Sequence, residues 1–432
     1  MPIRRISVCV VLLLVATLAF ADSLGDEKAR AKQILKIVSK DIEKNYYDPN
    51  LKGLNWTELN AQAVEMIDKA QSVGQIYTTI FGLVDRLNDS HTMFLSPGHV
   101  SVPQFGFEAK AYGNEIYVTK IKEKGQAQAA GLQLGDRIVL VNGFDAERQS
   151  FDKMMLFFHA LQPVSQLELV FMRGKSAPQK LRIPAKIISS TMVFDMNNDL
   201  NIWDLIKNSE NAEKEEEFRF TKAEENDDIG YLAVKTFMLE PESIGSFATL
   251  AGKAKALIID MRGNFGGRED ALASFASHFI SEPDNMADVL TRKGTEPRKL
   301  KPARGAYSVP MVILVDSQSS SAAEIFARYF QLKHKATVIG DQTAGRVVSS
   351  RFFHEQLGTD RVVPFGVQIS VGKILFPNNE DLEAKGVTPD QKCLPTAEDL
   401  REERDTCYSM AVALLKKQLG APEKQQAKTT SN

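Results

Sequence analysis

Residues 311–332 read MVILVDSQSSSAAEIFARYFQL, and this stretch decides the fold of the second half of the chain. Met311–Val315 is an apolar, β-branched run that is typical of a buried strand. A polar turn follows, and from Ser321 onward apolar side chains recur every three to four residues, which predicts a helix. This order places Ser321 at the first turn of a helix, where unpaired backbone N–H groups and the helix dipole favour negative charge.

Two roles are open to Ser321. A serine nucleophile and the oxyanion that it generates need the environment of a helix N-terminus. The string Ser321-Ala-Ala-Glu324 is also a capping box, in which the serine and the glutamate satisfy the first backbone N–H groups of the helix. The stretch by itself fits catalysis and capping alike.

Length and composition predict a soluble protein of several domains. A chain of 432 residues is too long for one ordinary hydrophobic core. Its 43% hydrophobic and 25% charged residues are typical of globular proteins. The formal net charge of −2 argues against nucleic acid or an anionic membrane as the main partner.

Residues 1–21 are predicted to be a secretory signal peptide. Arg4 and Arg5 precede an apolar run over residues 8–20, and Ala19-Phe20-Ala21 is a small-x-small cleavage site. The run is too short to span a membrane, and no lipobox follows Cys9. We therefore expect an exported protein, periplasmic or secreted, without a stable membrane anchor.

Export bears on the cysteines. Cys393 and Cys407 are the only two that remain after the signal peptide. In an oxidising compartment two such cysteines are expected to form a disulfide, and two buried free thiols are the alternative.

Residues 22–101 are predicted to form an N-terminal helical domain. Three amphipathic faces recur at helical spacing up to about Pro97, with Thr57 and Ser72 as candidate N-caps. A turn after the third helix leaves His91 next to Ser90. Because most lone histidines are surface or satisfied core residues, this position alone assigns His91 no function.

Residues 102–188 change to short strands and resemble a PDZ domain. Residues 130–143, AGLQLGDRIVLVNG, are the most recognisable segment, and Phe105-Gly106-Phe107 looks like the carboxylate-binding loop. The resemblance implies that backbone N–H groups of this loop receive a terminal carboxylate while the peptide adds a strand to the sheet edge. A β-domain whose groove binds nothing is the alternative.

Residues 189–420 are predicted to form an α/β core, followed by a disordered tail over 421–432. Continuous apolar strands such as Lys255–Asp260 alternate with helices, which favours a mostly parallel sheet that is covered on both faces. The charge-rich residues 210–222 are expected to form a solvated hairpin or loop, and Phe365–Val371 an added antiparallel strand. The predicted fold class is multidomain α+β.

Residues 256–267, ALIIDMRGNFGG, run from a strand into a glycine-rich turn. Gly266 and Gly267 allow the backbone to approach a ligand or to direct its N–H groups toward one point. Neither the G-x-G-x-x-G fingerprint nor a P-loop lysine is present. We therefore expect this turn to hold an oxyanion rather than a phosphate.

Together these motifs resemble the C-terminal processing (tail-specific) serine peptidases, a family that includes the tricorn-like proteases. The resemblance spans nearly the whole mature chain and rests on DMRGNFGG (260–267), SSAAE (320–324), GDQTAG (340–345) and EAKGVTPD (383–390). It implies a peptidase core of the ClpP/crotonase type and cleavage of unfolded or tagged proteins by acyl transfer. Ser321 would be the nucleophile, with backbone N–H groups of Gly266, Gly267 and Ala322 around the oxyanion.

The general base is where the sequence departs from the better-known branch of that family. Those enzymes pair the serine with a lysine in a T-x-G-K segment, and this chain has Thr343-Ala-Gly-Arg346. An arginine side chain cannot be made neutral to accept a proton, so a Ser-Lys dyad is excluded at this position. Lys373 is a nearby alternative, in a segment that resembles a structural strand of the family.

The tricorn-like branch uses a Ser-His-Ser-Glu arrangement, and the resemblance carries this arrangement to the present chain. It implies that His91 is the general base and that Ser90 and Glu383 orient the groups around it. Glu380 is an alternative acidic member. The remaining histidines fit no metal-ligand spacing and no cofactor motif is evident, so neither a metal nor a cofactor is expected.

The leading hypothesis is an exported serine endopeptidase that engages the C-terminal tails of protein or peptide substrates through its PDZ domain. A catalytically inactive PDZ scaffold is the alternative, and Arg346 is its best argument. A weaker third hypothesis is carriage of a hydrophobic ligand, since similar core domains occur in a retinoid-carrying protein. The sequence leaves the oligomeric state open, a homo-oligomer included.

Overall fold

The computed structural model describes residues 24–97, 100–158, 164–190, 218–222, 228–249, 252, 254–358 and 362–420. The predicted signal peptide and the predicted disordered tail lie outside these residues, as does most of the charge-rich segment.

Three helices form the N-terminal part: α1 (Leu24–Asn45), α2 (Trp56–Lys69) and α3 (Val73–Asp85). Their apolar faces share one core, which also contains Phe365 and Val367 from the peptidase core. Ser72 caps α3 as predicted. The cap prediction for Thr57 was wrong, because Asn55, a stronger capping residue, accepts the N–H of Glu58 and places Thr57 inside α2.

The PDZ-like domain consists of short antiparallel strands and two short helices. They are β2 (Val100–Gln104), β3 (Phe107–Tyr112), β4 (Glu115–Ile121), α4 (Gln126–Ala130), β5 (Arg137–Val141), β6 (Phe144–Asp145), α5 (Phe151–Leu156), β7 (Gln166–Met172), β8 (Gln179–Pro184) and β9 (Lys186–Ser190). The main sheet has the order β3-β4-β5-β7-β8, so β3 is an edge strand, and β2 pairs separately with β9. An edge strand is what peptide binding by strand addition requires.

The core contains the predicted, mostly parallel sheet. Its strands, in spatial order, are β10 (Phe218–Lys222), β11 (Ile229–Val234), β12 (Ala256–Asp260), β15 (Met311–Val315), β16 (Ala336–Gly340) and β19 (Gln391–Lys392). All neighbours are parallel except β10, which pairs antiparallel with β11. The expected hairpin or loop over residues 210–222 is described only for Phe218–Lys222, and these residues do pair antiparallel with the following strand β11, as one arm of a hairpin does.

Helices cover both faces of this sheet. One face is covered by α6 (Pro241–Thr249), α7 (Glu269–Ala276) and α8 (Ala322–Leu332). The other is covered by α10 (Thr406–Gly420), which follows the short helix α9 (Ala397–Arg401). Met311, Ile313 and Val315 pack toward the first group, and Val312 and Leu314 toward α10. This double burial explains why β15 has no polar position.

A second, antiparallel sheet joins the N-terminal part to the core. Its strands are β1 (Met93–Leu95), β13 (Asp284–Thr291), β14 (Gly294–Leu300), β17 (Val348–Leu357) and β18 (Val363–Leu375). The added strand over Phe365–Val371 is confirmed as part of β18. The sequence did not predict β1, which pairs with Gly366–Gln368 of β18 and so fixes the turn that carries His91 to the core.

Cys393 and Cys407 form the expected disulfide, which attaches the start of α10 to the segment after β19. In the part of the chain that the structure describes, no helix combines the length and the apolar character that a membrane span requires.

We predict that replacing both cysteines (Cys393→Ala with Cys407→Ala) lowers the free energy of unfolding by about 2–4 kcal/mol, because the bridge closes a loop between residues 14 positions apart. Denaturant unfolding under oxidising conditions measures this loss. The parent protein, unfolded by denaturant in the presence of a reductant, should show a similar loss of free energy of unfolding. An unchanged midpoint in both experiments would contradict the structural role of the bridge.

Candidate active site

Ser321 lies between β15 and α8 in a sharply turned backbone. The carboxylate of Asp316 holds this turn by accepting the N–H groups of Gly263, Gln318 and Ser319 at 2.9–3.0 Å. Ser321 itself has φ 55° and ψ −118°, a conformation that L-residues rarely adopt. Such strain is typical of residues that a fold holds in place for function.

The capping alternative for Ser321 is partly realised. Its backbone N–H donates to the Glu324 carboxylate at 3.1 Å and to the Arg346 carbonyl at 3.0 Å. Glu324 therefore does cap the first turn of α8. This capping uses the backbone N–H of Ser321, so it does not compete with a catalytic role for the hydroxyl.

The glycine-rich turn lies against Ser321, as the oxyanion hypothesis requires. A Cβ atom on Gly266 would sit 2.6 Å from the Cβ of Ser321, so only glycine fits at this position. Gly266 nevertheless cannot serve as a donor, because its N–H bonds to Asn264 Oδ1 at 2.7 Å. Its predicted role as an oxyanion donor was therefore wrong, and its role in this turn is steric.

The other two oxyanion candidates keep suitable donors. Gly267 lies opposite Phe237 in a parallel β-bridge. Phe237 donates its N–H to the Gly266 carbonyl and accepts the N–H of Arg268, so the N–H of Gly267 is not used and points away from Phe237. Ala322 is the first residue of α8, where a backbone N–H has no acceptor within the helix. Both residues line the cavity that contains Ser321.

His91, Ser90 and Glu383 form a hydrogen-bonded chain. His91 Nδ1 lies 2.8 Å from Ser90 Oγ, and Ser90 Oγ lies 3.1 Å from Glu383 Oε2. Because an ionised carboxylate only accepts, the Ser90 hydroxyl donates its hydrogen bond to Glu383 and accepts a hydrogen bond from the Nδ1–H group of His91. Nε2 of His91 is then left with its lone pair, which is the tautomer that a general base needs.

The structure distinguishes the two candidate acidic residues by their contacts. Glu383 also accepts the N–H of Ser90 and the N–H of Val347, each at 2.7 Å. Glu380 instead forms a two-pronged ion pair with Arg328 at 2.8 and 2.9 Å. Glu383, not Glu380, therefore lies in the chain that contains His91.

Asp89 fixes the turn before His91, a role that sequence reasoning missed. Its Oδ1 accepts the N–H of His91 at 3.0 Å, the N–H of Thr92 at 2.7 Å and the hydroxyl of Ser370 at 2.7 Å. The Asp-Ser-His-Thr order was the available signal, since aspartate side chains commonly cap the N–H groups that follow them. The bond to Ser370 anchors the turn to β18.

Burial controls the protonation of this chain. It lowers the pKa of His91 to about 4, while the carboxylate of Asp89 opposes this shift and the charge of Arg346 adds to it. Burial also raises the pKa of Glu383, against the N–H groups of Val347 and Ser90 that stabilise its ionised form. His91 is therefore neutral at pH 7 and able to accept a proton.

The contacts of Arg346 and Lys373 show why neither side chain is available as a base. Arg346 donates to Asp152 of α5 at 2.7 Å and so links the core to the PDZ-like domain. Lys373 pairs with Asp381 at 2.8 Å, and this hydrogen bond raises its pKa, which keeps the ammonium charged. Neither side chain can take a proton from Ser321 in this state.

Glu324 is a second residue whose importance sequence reasoning underestimated. Besides capping Ser321, it accepts the hydroxyl of Thr343 and the N–H groups of Gly345 and Arg346. Burial raises its pKa to about 7 despite these donors. One carboxylate thus holds both the start of α8 and the segment that carries Arg346.

Ser321 and His91 line one cavity of about 940 Å³. No hydrogen bond joins them directly among the residues that the structure describes. Both are also tied to one segment of the chain. The N–H of Ser321 donates to the Arg346 carbonyl, and Glu383, which is linked to His91 through Ser90, accepts the N–H of the next residue, Val347. The fold therefore places Ser321 and His91 in one cavity and ties both to the segment over residues 346–347, His91 through Ser90 and Glu383. In the described ranges no cluster of His, Cys, Asp and Glu could hold a metal ion.

The predicted peptide loop lies at the start of the edge strand β3. Gly106 has φ 76°, while the side chains of Phe105 and Phe107 are buried in the domain core. The far end of β3 touches the peptidase core, where Ser317 donates to the Ala111 carbonyl at 2.7 Å. A strand added along β3 would therefore run between the loop and the core.

We predict that the His91 ring titrates with a midpoint near pH 4, well below the ordinary value of 6.5. The folded state disfavours the charged ring. The resulting contribution to stability is therefore complete above pH 6.5 and lost as the pH falls toward 4. Ring chemical shifts in an NMR titration, assigned by comparison with His91→Gln, measure this midpoint. A midpoint near 6.5 would show that the ring is not held in a buried, neutral state.

Comparisons with known proteins agree with these features. Residues 228–393 match the sequence model of peptidase family S41, and residues 98–165 match the PDZ domain. The chain is 25% identical over 360 residues to carboxyl-terminal-processing peptidase 1, chloroplastic, of Arabidopsis thaliana, covering 78% of this chain and 66% of that protein. It is 23% identical over 395 residues to a carboxyl-terminal-processing protease of Synechocystis sp., covering 87% and 84%.

Solved structures show the same fold. The structure described as mature CPAF superposes with a TM-score of 0.67 at 14% identity, covering 91% of this chain and 99% of that one. The photosystem II D1 C-terminal processing protease gives a TM-score of 0.52 at 18% identity, covering 87% and 98%. These matches show a PDZ domain followed by a domain of peptidase family S41, and over most of its length the chain is similar to carboxyl-terminal-processing proteases.

Proposed function

We propose that the chain is an exported serine endopeptidase that cleaves unfolded or C-terminally recognised proteins through an acyl-enzyme. Ser321 is the nucleophile and His91 the general base, with Ser90 and Glu383 orienting His91. The observation that supports this most is the His91–Ser90–Glu383 chain, in which His91 lines the same cavity as Ser321 and Nε2 of a neutral ring is left as acceptor.

The mechanism follows from these positions. The Ser321 hydroxyl attacks the scissile carbonyl while its proton passes to His91 Nε2, and the oxyanion accepts the N–H groups of Gly267 and Ala322. His91 then gives the proton to the departing amine as the acyl-enzyme forms. Water, deprotonated by the same ring, releases the product acid. The contact between Ser321 and His91 closes when substrate is bound, since catalytic hydrogen bonds often tighten only then.

The PDZ domain supplies substrate recognition in this proposal. A tail whose carboxylate sits at the Phe105–Phe107 loop pairs with β3 and extends toward Tyr112. At that end the domain is attached to the core by the Lys110–Asp316 pair at 3.2 Å and the Arg148–Asp341 pair at 2.7 Å. The upstream part of the substrate is thereby led to the peptidase core.

Export is supported by the Cys393–Cys407 disulfide, because disulfides persist mainly in oxidising compartments.

The inactive-scaffold alternative rested on Arg346. The ion pair of Arg346 with Asp152 gives this arginine a structural role, so its presence does not argue for lost hydrolysis.

We predict that Ser321→Ala abolishes degradation of an unfolded protein and that His91→Ala lowers kcat by about 10²–10⁴, the usual share of general-base catalysis. Glu383→Gln should lower kcat by about tenfold or more, because it removes the charge that fixes the Ser90 hydroxyl. Its matched control, Glu380→Gln, should retain activity. Peptide cleavage kinetics on proteins of equal thermal stability measure these effects.

Three results would contradict the proposal. Activity that survives Ser321→Ala would exclude this nucleophile. Equal losses in the two glutamate variants would exclude a specific role for Glu383. A parent protein that binds peptide C-termini through its PDZ domain but cleaves nothing would favour the scaffold.

A further inference from the structure

The cavity that contains Ser321 and His91 has an unequal charge balance. Six cationic side chains line it against three carboxylates: Lys44, Arg268, Arg292, Lys293, Arg298 and Arg351 against Glu269, Asp270 and Glu296. The whole chain, in contrast, carries a formal net charge of −2. The positive excess is therefore local to this cavity.

The three carboxylates are already in ion pairs. Asp270 pairs with Arg268 at 2.8 Å, and Glu269 and Glu296 lie 3.0 and 3.7 Å from Arg298. The other four cations, here called the cationic rim, are Lys44, Arg292, Lys293 and Arg351. All four are exposed, and none forms an ion pair with a carboxylate of the described residues. Asp41, one turn before Lys44 on α1, is close enough to feel its charge but does not line the cavity.

The fold brings the cationic rim together from three elements. Arg292, in the turn between β13 and β14, donates to the Tyr46 carbonyl just after α1 at 2.6 Å. The next residue, Tyr47, donates to the Ser370 carbonyl of β18 at 2.9 Å, and Ser370 is paired with Ser350 beside Arg351. The end of α1, the hairpin turn and β17 thus form one continuous wall.

We propose that the cationic rim selects peptide substrates that carry an acidic side chain close to the scissile bond. This inference rests on the proposed peptidase function, and it adds the substrate class. A carboxylate in the cavity finds several positive charges without carboxylate partners, whereas a lysine or arginine there meets repulsion. Since the rim is exposed, each contact is screened by salt, and the preference comes from the sum of several such contacts.

The test uses three peptides that differ only by Glu, Gln or Lys near one cleavage site. At low ionic strength, kcat/KM should be on the order of tenfold higher for Glu than for Gln, and lowest for Lys, with the differences shrinking at high salt. Binding of the same peptides to the Ser321→Ala variant, followed by fluorescence anisotropy, measures the preference without hydrolysis.

Lys293→Glu combined with Arg351→Glu should abolish or reverse this preference in both measurements. Lys301→Glu is the matched control for the charge change. This exposed residue follows β14 and lies roughly 25 Å from Lys293, given the rise per residue of a strand. The control variant should keep the preference for Glu.

The outcomes separate the two proposals. Binding that favours Glu and responds only to the rim variants supports the inference, even if no peptide is cleaved, in which case the peptidase proposal fails instead. Cleavage and binding that ignore peptide charge would overturn the inference and leave the peptidase proposal intact. Equal binding of an oligonucleotide of the same charge would also overturn the assignment to peptides.

Discussion

The carboxylate of Glu383 joins two parts of the chain that are 293 residues apart in sequence. It accepts two hydrogen bonds from Ser90 and one from the backbone of Val347 in a partly buried position. A buried carboxylate is costly unless its oxygens are satisfied, so these three donors and the position of the His91 turn depend on one another. The strand β1 adds a backbone attachment to β18, and together the two contacts bring an N-terminal helical segment to a C-terminal peptidase core.

The same segment carries Arg346, at the position where the family resemblance leads us to expect a lysine. Residues 343–347 supply donors to two carboxylates, Glu324 on one side and Glu383 on the other. The Arg346 guanidinium leaves the site and pairs with the PDZ-like domain. Its charge still lowers the pKa of His91, which favours a neutral base. An arginine at position 346 is thus physically consistent with the proposed role of His91 as general base.

Local signals predicted much of this structure. The apolar run of β15, the turn and the helix from Ser321 followed from periodicity, and the disulfide followed from compartment and cysteine number. The hairpin β13–β14 did not, because most side chains of β14 are exposed and its sequence, GTEPRKL, has no apolar alternation. For β10 the composition left a hairpin and a loop open, since an edge strand is specified by its neighbour as much as by its own composition.

The candidate site was predictable as a set of residues but not as a set of contacts. The family resemblance supplied His91, Ser90 and Glu383, and the sequence left Glu380 open because only tertiary contacts separate the two glutamates. The roles of Asp89 and Glu324 depend on Ser370 and on residues 343–346, which no local pattern connects to them. Gly266 shows that a motif residue can have a different role from the expected one. Glycine is required there because a Cβ atom would clash with Ser321, but its N–H already donates to Asn264 and is not available to an oxyanion.

We propose that His91 activates Ser321, and the rate of covalent labelling of Ser321 measures this activation. A fluorophosphonate probe reacts with activated serines, and peptide mass spectrometry locates the adduct. We expect fast labelling of Ser321 in the parent protein and a rate at least about a hundredfold lower, on the scale of general-base catalysis, in His91→Ala. Labelling of Ser321 at the same rate in both proteins would contradict the claim.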